Sequence, residues 1–454
     1  MKNFYSNFKK FVRKLVPRRL LFFYHYLWGL FMAIFYKFPS RKIVVIGITG
    51  TKGKSTVCYL IYSFLKELGI KTALSSSDFF LIGDKKIENK YRLTMPGRGF
   101  LQKFLNQAVN EKCEVAVLEA TSEGLMYNRH AFIDFDVAVF LNLHPEHIEH
   151  HGSYENYKKD KGKLFRALSK SKARKYLRGE FIRKTIIVNG DDFESDYYLS
   201  FRAEQKISFS LESILGEVRF VVKPSSYKIT AKGIDFVLDD KKFHSPVISK
   251  SFLYDILASL AVIKSLNLPI NSLDKFIENF HGLAGRMDII NAKGFKVVID
   301  YAHTPVSIEE LYKTVSLIFK PKRMLCIIGS AGGLRDKWKR PVIGEIAAKY
   351  CNYIVISDED PFDEDPSQIL KSIEMGAKKY LAEFEIEKTV EIIPDRKEAI
   401  FKLIENSQKG DVVVSIGKGA EPSIVYSDKV IPWNEKEVFL EALKHYSKIS
   451  TKTS

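Results

Sequence analysis

The feature that most constrains this chain is Gly47-Ile-Thr-Gly-Thr-Lys-Gly-Lys-Ser-Thr56, set between an apolar run, Ile43 to Ile46, and a helix-like one, Val57 to Leu68. A strand, a glycine-rich turn and a helix N-terminus in that order make a cradle for phosphate. Backbone N–H groups point inward, the helix dipole favours anions, Lys54 can reach terminal phosphates and Ser55 can hold Mg²⁺. Ile48 stands where the common G-x-x-x-x-G-K-[ST] pattern has its first glycine, so the loop is a variant. It reads as a nucleotide site.

At 454 residues, with 46% hydrophobic and 28% charged, the chain can form two or three folded domains with sizeable cores. Cys58, Cys113, Cys326 and Cys351 sit singly in apolar patterns with no C-x-x-C spacing. They read as reduced core residues of a cytosolic protein. The net charge of +17 could suggest nucleic acid, but residues 1–45 hold ten Lys/Arg and no Asp or Glu. More than half the excess is in that leader, and no aromatic–basic recognition motif follows it, so no nucleic-acid partner is expected.

Within the leader, Leu20 to Tyr36 is a 17-residue apolar, aromatic-rich run, at the short limit for a membrane span and without a signal-peptide cleavage site. Basic flanks would keep the N-terminus cytoplasmic, and a single span would then export the nucleotide site away from ATP. Two alternatives stand: an interfacial helix on the inner leaflet, giving peripheral membrane contact through residues 1–38, or a helix packed on the protein's own core or on a partner.

Beyond the leader, β-like runs (Lys42–Ile48, Glu114–Glu119, Asp136–Asn142, Thr185–Asn189) alternate with helical patterns near 53–69, 97–110 and 153–170. The alternation predicts a mostly parallel sheet with helices on both faces. Between about 205 and 248, turn signals such as Lys232-Gly233 and Asp239-Asp240 predict antiparallel hairpins, followed by helices near 251–266 and 271–280. Gly282-Leu-Ala-Gly-Arg-Met-Asp288 marks a hinge. A second α/β series follows, with strands at Lys296–Tyr301, Met324–Gly329, Tyr353–Ser357, Glu391–Ile393 and Asp411–Ile416 and helices between them. The Lys/Ser/Thr tail after about 446 reads as frayed. The expected division is a leader at 1–40, an ATP-binding central domain at 41–284, a C-terminal Rossmann-like α/β domain at 285–446 and a tail at 447–454.

A second constellation, Asn142-Leu-His-Pro-Glu-His-Ile-Glu-His-His-Gly152 followed by Tyr157-Lys-Lys-Asp-Lys161-Gly-Lys-Leu-Phe165, falls at the end of an apolar strand, where open α/β sheets place ligands. His147, His150 and His151 have helix-like spacing but lack Cys or a clear fourth zinc partner. Glu119, also at a strand end, is a natural ligand for a hard metal or else a capping carboxylate.

Together these residues resemble the Mur ligases, and most closely their UDP-N-acetylmuramoyl-tripeptide synthetase branch. The resemblance rests on Thr49 to Ser55, Glu119-Ala-Thr-Ser-Glu-Gly-Leu125, Asn142 with Glu146-His147 and His151-Gly152, Gly285-Arg-Met-Asp288, Asp300-Tyr-Ala-His-Thr-Pro305, Gly332 to Pro341 and Gly417-Lys-Gly-Ala-Glu421, in the family's order over roughly residues 41–445. It implies ATP- and Mg²⁺-dependent ligase chemistry: a carboxylate is phosphorylated by ATP and an amine displaces the phosphate to give an amide.

 The acyl phosphate is the intermediate of that reaction, and the acceptor and amine it implies are a muramoyl-peptide and an amino acid, in peptidoglycan precursor synthesis.

Carried onto this sequence, the resemblance gives each part a role. Gly50, Thr51, Lys52, Gly53, Lys54, Ser55 and Thr56 would hold the ATP phosphates, with Asn142 beside them. Ser55 and Glu119 would bind one Mg²⁺, and His147 a second. Lys161 matches a lysine that is carbamylated in the family and supports that second metal. Arg286 and Asp300 match hinge residues at the nucleotide. Thr94-Met95-Pro96, Leu101-Gln102, Thr121, Ser122 and Arg129 resemble contacts to the acceptor. His303, Arg335, Asp336, Asp358, Lys418 and Glu421 resemble the amino-acid side of the cleft. A monomer is expected.

Departures from the family pattern carry expectations of their own. Only about forty residues precede the phosphate loop where this branch has a UDP-binding domain, which points to a lipid-linked acceptor or one brought to the membrane. Where the branch has Asp-Asn-Pro-Arg to select a diamino acid, this chain reads Asp358-Glu-Asp-Pro-Phe362. Phe362 cannot give a carboxylate the bidentate hydrogen bonds of an arginine, and the added acids favour a cationic side chain such as lysine or ornithine. Ala420 replaces a histidine, and Phe252 and Asp255 stand where asparagines line the adenine. The rival readings are a folate-polyglutamylating ligase of the same superfamily and a membrane-associated NTPase or scaffold that binds without ligating.

Overall fold

The computed structural model describes residues 18–77, 79–87, 93–146, 148–213, 218–333 and 335–450. The first part of the chain comprises α1 (Arg18–Phe35), β1 (Val44–Thr49), α2 (Lys54–Glu67), β2 (Thr72–Ser75), β3 (Phe80–Ile82), β4 (Lys85–Ile87), α3 (Phe100–Asn110), β5 (Val115–Glu119), α4 (Ser122–Met126) and β6 (Val137–Phe140). There follow α5 (Ile148–His151), α6 (Tyr154–Lys170), β7 (Lys175–Leu177), β8 (Glu180–Ile182), β9 (Thr185–Asn189), α7 (Ser195–Leu199), β10 (Gln205–Phe209), β11 (Phe220–Val222), β12 (Ser226–Thr230), β13 (Gly233–Leu238), β14 (Lys241–Ser245), α8 (Lys250–Ser265) and α9 (Asp274–Asn279).

Nine of these strands form one sheet in the order β11-β10-β9-β6-β1-β5-β2-β3-β4. Its pairings are parallel except for the hairpins β2–β3 and β3–β4. β1 is buried at every position, the unbroken apolar pattern of a strand covered on both faces. One face packs α2 and α8, and the other α3 and α6. The expectation of hairpins from 205 onward holds for β12–β14, an antiparallel sheet of their own. It fails for β10 and β11, which extend the main sheet in parallel, with Gln205 opposite Thr185 and Ile207 opposite Phe220. The short segment carrying α7 is crossover enough to return β10 in the same direction as β9.

The second part contains β15 (Asp288–Asn291), β16 (Lys296–Ile299), α10 (Pro305–Phe319), β17 (Met324–Ile328), α11 (Lys339–Tyr350), β18 (Tyr353–Ile356), α12 (Pro366–Glu383), β19 (Thr389–Ile392), α13 (Arg396–Glu405), β20 (Val412–Ser415), β21 (Ser423–Val425), β22 (Val430–Pro432) and α14 (Glu435–Ser450). Its six-stranded sheet runs β15-β16-β20-β17-β18-β19, parallel apart from the edge pair β15–β16. α10, α11 and α12 cover one face, α13 and α14 the other.

Two expectations are corrected here. Cys326 and Cys351 are joined in a disulfide, with Cα atoms 6.1 Å apart, because α11 ends against the middle of β17. Cys58 and Cys113 are buried and outside any disulfide. The tail is helical as far as Ser450, since α14 is held by the buried pair Arg396–Glu435 at 2.9 Å and by Phe439.

α1 does pack on the protein itself. Phe22, His25, Gly29, Met32 and Ala33 face inward, with Phe22 and His25 against Tyr127 and Tyr26 against Phe132. Its other face is exposed. Among the described residues no helix is long and apolar enough to cross a membrane.

Candidate active site

The parallel strands of both sheets end at one cleft, the place where open α/β sheets bind ligands. The turn after β1 reaches α2 through Gly53, whose φ of 79° is left-handed and suits glycine. Asn142, at the end of β6, organises the turn. Its Oδ1 accepts from the backbone N–H groups of Thr51 (3.1 Å) and Lys52 (2.8 Å), and its Nδ2 donates to Lys52 O. Thr51 Oγ1 lies 3.1 Å from the Tyr157 hydroxyl. Ser55 and Thr56 are buried in the first turn of α2.

Three lysines converge here without a carboxylate in hydrogen-bond contact. Lys54 Nζ donates to Thr51 O at 2.9 Å, and fully buried Lys161 Nζ donates to Gly50 O at 2.7 Å. Lys52 Nζ is buried with no hydrogen-bond partner. Burial lowers the Lys52 pKa, while Glu310, Glu146 and Asp300 act to raise it. Burial, with Lys54 nearby, holds Lys161 well below the ordinary lysine range. A site of this kind fits an anion with several oxygens.

Glu119 ends β5 beside it. Ser55 Oγ donates to Glu119 Oε2 at 2.9 Å, and so does the Ser77 backbone N–H at 2.9 Å. The Ser77 hydroxyl lies 2.6 Å from Thr94 Oγ1, which carries the network into Thr94-Met95-Pro96. Arg129 steadies that loop by donating to Met95 O at 2.8 Å. Thr121 caps α4, and Ser122 Oγ is 3.1 Å from His151 Nε2, whose Nδ1 is 2.7 Å from Asp160. His147 lies outside the described residues. Among the described residues no cluster of His, Cys, Asp or Glu could hold a metal by itself. Ser55 and Glu119 together still offer a hydroxyl and a carboxylate, the oxygen donors that suit Mg²⁺.

The hinge crosses the cleft at Gly285 to Asp288. Asp300 accepts from the N–H groups of Met287 and Ala302, both at 2.7 Å, and Arg286 lies over the Tyr301 ring at 4.3 Å. His303 Nε2 is 3.0 Å from Glu146 Oε1, joining the two domains. Asp336 accepts from the Glu149 N–H at 3.2 Å, so it faces the central domain. Arg335 is exposed.

Deeper in the C-terminal half, buried Lys418 donates to Asp360 (2.9 Å) and Glu421 (2.7 Å), and the Tyr301 hydroxyl donates to Glu421. Asp358 Oδ2 accepts from the Tyr426 hydroxyl at 3.0 Å, while its Oδ1 is buried with no partner. Burial raises the Asp358 pKa. Phe362 adopts φ 55° and packs beside Gly333. Sequence reasoning gave no role to Ser77, Tyr157, Lys339 or Tyr426. Lys339, buried and donating to His303 O at 3.1 Å, lies within the Gly332 to Pro341 segment and could have been found there. Tyr426 lies outside every motif.

Two α/β domains that meet at a phosphate loop and a second, charged pocket define a nucleotide-dependent ligase. Comparison with known proteins specifies the family. The Mur ligase middle domain matches residues 48–263, and the Mur ligase, glutamate ligase domain matches residues 285–419. The UDP-N-acetylmuramyl-tripeptide synthetase of Borreliella afzelii is 36% identical over 420 residues, covering 91% of this chain and 79% of that protein. The UDP-N-acetylmuramoyl-L-alanyl-D-glutamate–2,6-diaminopimelate ligase of Halalkalibacterium halodurans is 33% identical over 417 residues, covering 90% and 80%. The MurF ligase of Thermotoga maritima, solved in complex with ADP, shares the fold with a TM-score of 0.61 at 17% identity, over 91% of this chain and 83% of that one. The chain belongs to the Mur ligase family, and is an ATP-dependent ligase that forms amide bonds in peptidoglycan precursor synthesis. The folate reading is not favoured.

Proposed function

We propose that this chain joins an amino acid to the carboxylate of a UDP-N-acetylmuramoyl-peptide-like acceptor on the cytoplasmic side, acting as a monomer with peripheral membrane contact through residues 1–38. Residues 41–284 would bind ATP and acceptor, and residues 285–446 the amino acid. The acceptor carboxylate attacks the γ-phosphorus of ATP and ADP leaves. The neutral amine then attacks the acyl carbon, phosphate departs, and the amine's proton is lost as the amide forms.

One observation carries the reading. Glu119 accepts at once from Ser55 of the phosphate loop and from Ser77, whose hydroxyl touches Thr94. This network supports a reading in which the nucleotide end and the acceptor end of the reaction meet at one carboxylate. The N–H groups of Gly53 to Thr56 would face the phosphates, those of Thr51 and Lys52 being held by Asn142, and Lys52 and Lys54 would offset the phosphate charge. Ser55 and Glu119 would hold one Mg²⁺ and His147 a second; bound there, Mg²⁺ neutralises charge on the transferring phosphoryl group. Burial lowers the Lys161 pKa well below the ordinary lysine range, which favours the neutral amine, the form that can add CO₂ and release a proton to become the carbamate inferred from the family resemblance.

The buried, unpartnered Asp358 Oδ1 supports a donor-bearing, cationic side chain on the incoming amino acid. Labelling the acceptor carboxylate with ¹⁸O tests the route. Transfer of one ¹⁸O to the released phosphate is expected, and unlabelled phosphate would exclude an acyl phosphate.

A further inference from the structure

α1 presents two opposite faces. Leu20, Phe23, Tyr24, Leu27, Phe31, Ile34 and Phe35 are exposed, and at 3.6 residues per turn they fall within an arc of about 120°. Within the 18-residue helix the stripe runs from Leu20 to Phe35, about 22 Å of surface at 1.5 Å per residue. Patches of this kind on a soluble protein mark an interaction site.

Charge selects the occupant. The ten Lys/Arg of residues 1–45, with no Asp or Glu among them, flank the stripe on both sides in sequence, and Arg41 and Lys42 are exposed just beyond its C-terminal end. A second copy of the chain would set two such cationic segments against each other. An anionic bilayer neutralises them while its headgroup zone takes the aromatic rings.

The opposite face of α1 lies on the acceptor loop. A methyl group on Gly97 would run into His25, and one on Gly99 into Met32. From Gly97 the loop leads through Met95 and Thr94 to Ser77 and Glu119 by the hydrogen bonds described above. One helix diameter, about 10 Å, separates the exposed stripe from Gly97 and Gly99, which follow the Thr94–Pro96 segment in sequence.

We infer that α1 lies on an anionic lipid surface and that the acceptor is a muramoyl-peptide carried on a lipid, entering the site beside α1 from that surface. The assignment rests on the ligase reading. It is tested with the full chain and with the variant Phe23→Ser/Leu27→Ser/Phe31→Ser/Ile34→Ser, by flotation with vesicles of phosphatidylcholine alone or mixed with phosphatidylglycerol. Turnover is measured in parallel on UDP-N-acetylmuramoyl-dipeptide in solution and on the same dipeptide anchored in the mixed vesicles through a lipid diphosphate.

The unaltered chain should float with the mixed vesicles and not with phosphatidylcholine alone. The variant should stay in solution, use the soluble acceptor at an unchanged rate and use the anchored one at least tenfold more slowly. Phe31→Glu alone, with an unchanged thermal transition, serves if the fourfold variant does not fold. Equal flotation of variant and unaltered chain would overturn the inference, as would a dimer that the variant dissociates, or equal use of the anchored acceptor. Turnover of neither acceptor by either protein would bring down the ligase reading and, through it, the acceptor assignment.

Discussion

The central and C-terminal halves of the cleft use the same scaffold, parallel strands ending at a shared gap, and arrange their charges differently. On the central side Lys54 and Lys161 are satisfied only by backbone carbonyls and Lys52 has no hydrogen-bond partner. On the C-terminal side Lys418 is held between Asp360 and Glu421, and a carboxylate oxygen, Asp358 Oδ1, is among the buried atoms without a hydrogen-bond partner. On the reading proposed above, the first half takes an anion and the second a cation. Ligand polarity is thus set by a few side chains at strand ends, while the fold supplies the place.

The comparison is broken most severely at Glu119. Glu119→Gln keeps the hydrogen-bond acceptor but removes the charge, and kcat is expected to fall by about 10³-fold or more, roughly 4 kcal/mol, with the thermal transition little changed. A mild loss would move the metal site elsewhere. On the other side, Lys418→Met leaves Asp360 and Glu421 without their shared cation. The KM for the amino acid should rise by about 10²-fold with the KM for ATP nearly constant, and parallel rises in both would erase the distinction between the halves.

A smaller effect concerns stability. His130, in the central half, is fully buried and its pKa is lowered to about 3, by burial first and then by Lys163, with Asp160 opposing. Its folded pKa lies below the unfolded value of about 6.5, so the stability it contributes is present above pH 6.5 and is lost as pH falls toward 3. Between pH 6.5 and 5 the loss should be about 2 kcal/mol, read from urea unfolding, and His130→Phe should flatten it. The smallest change tests the acidic pocket: Phe362→Arg should shift preference about tenfold from lysine toward 2,6-diaminopimelate, measured as the ratio of kcat/KM values.

The same contrast explains what could be read in the sequence. The phosphate loop is one contiguous segment, and its strand and helix have unmistakable periods, so β1, α2 and the roles suggested for Lys54 and Ser55 could be anticipated from nearby residues. The pocket proposed for the amino acid is assembled from Tyr301, Asp358–Phe362, Lys418–Glu421 and Tyr426, and only the fold brings Lys418 to Asp360. α14 escaped notice because one of its main anchors, Arg396 paired with Glu435, lies about forty residues away in sequence. The Cys326–Cys351 pairing depends likewise on where α11 returns beside β17. The order of β10 and β11 was hidden because parallel and antiparallel edge strands share the same alternation.

The central claim is most directly tested by ADP release from the purified full chain with ATP, Mg²⁺ and UDP-N-acetylmuramoyl-dipeptide across a panel of amino acids, with mass analysis of the product. The expected result is release that depends on an amino acid with a cationic side chain, and a product heavier than the acceptor by that residue. ADP release that is independent of the amino acid, with no ligated product, would contradict it.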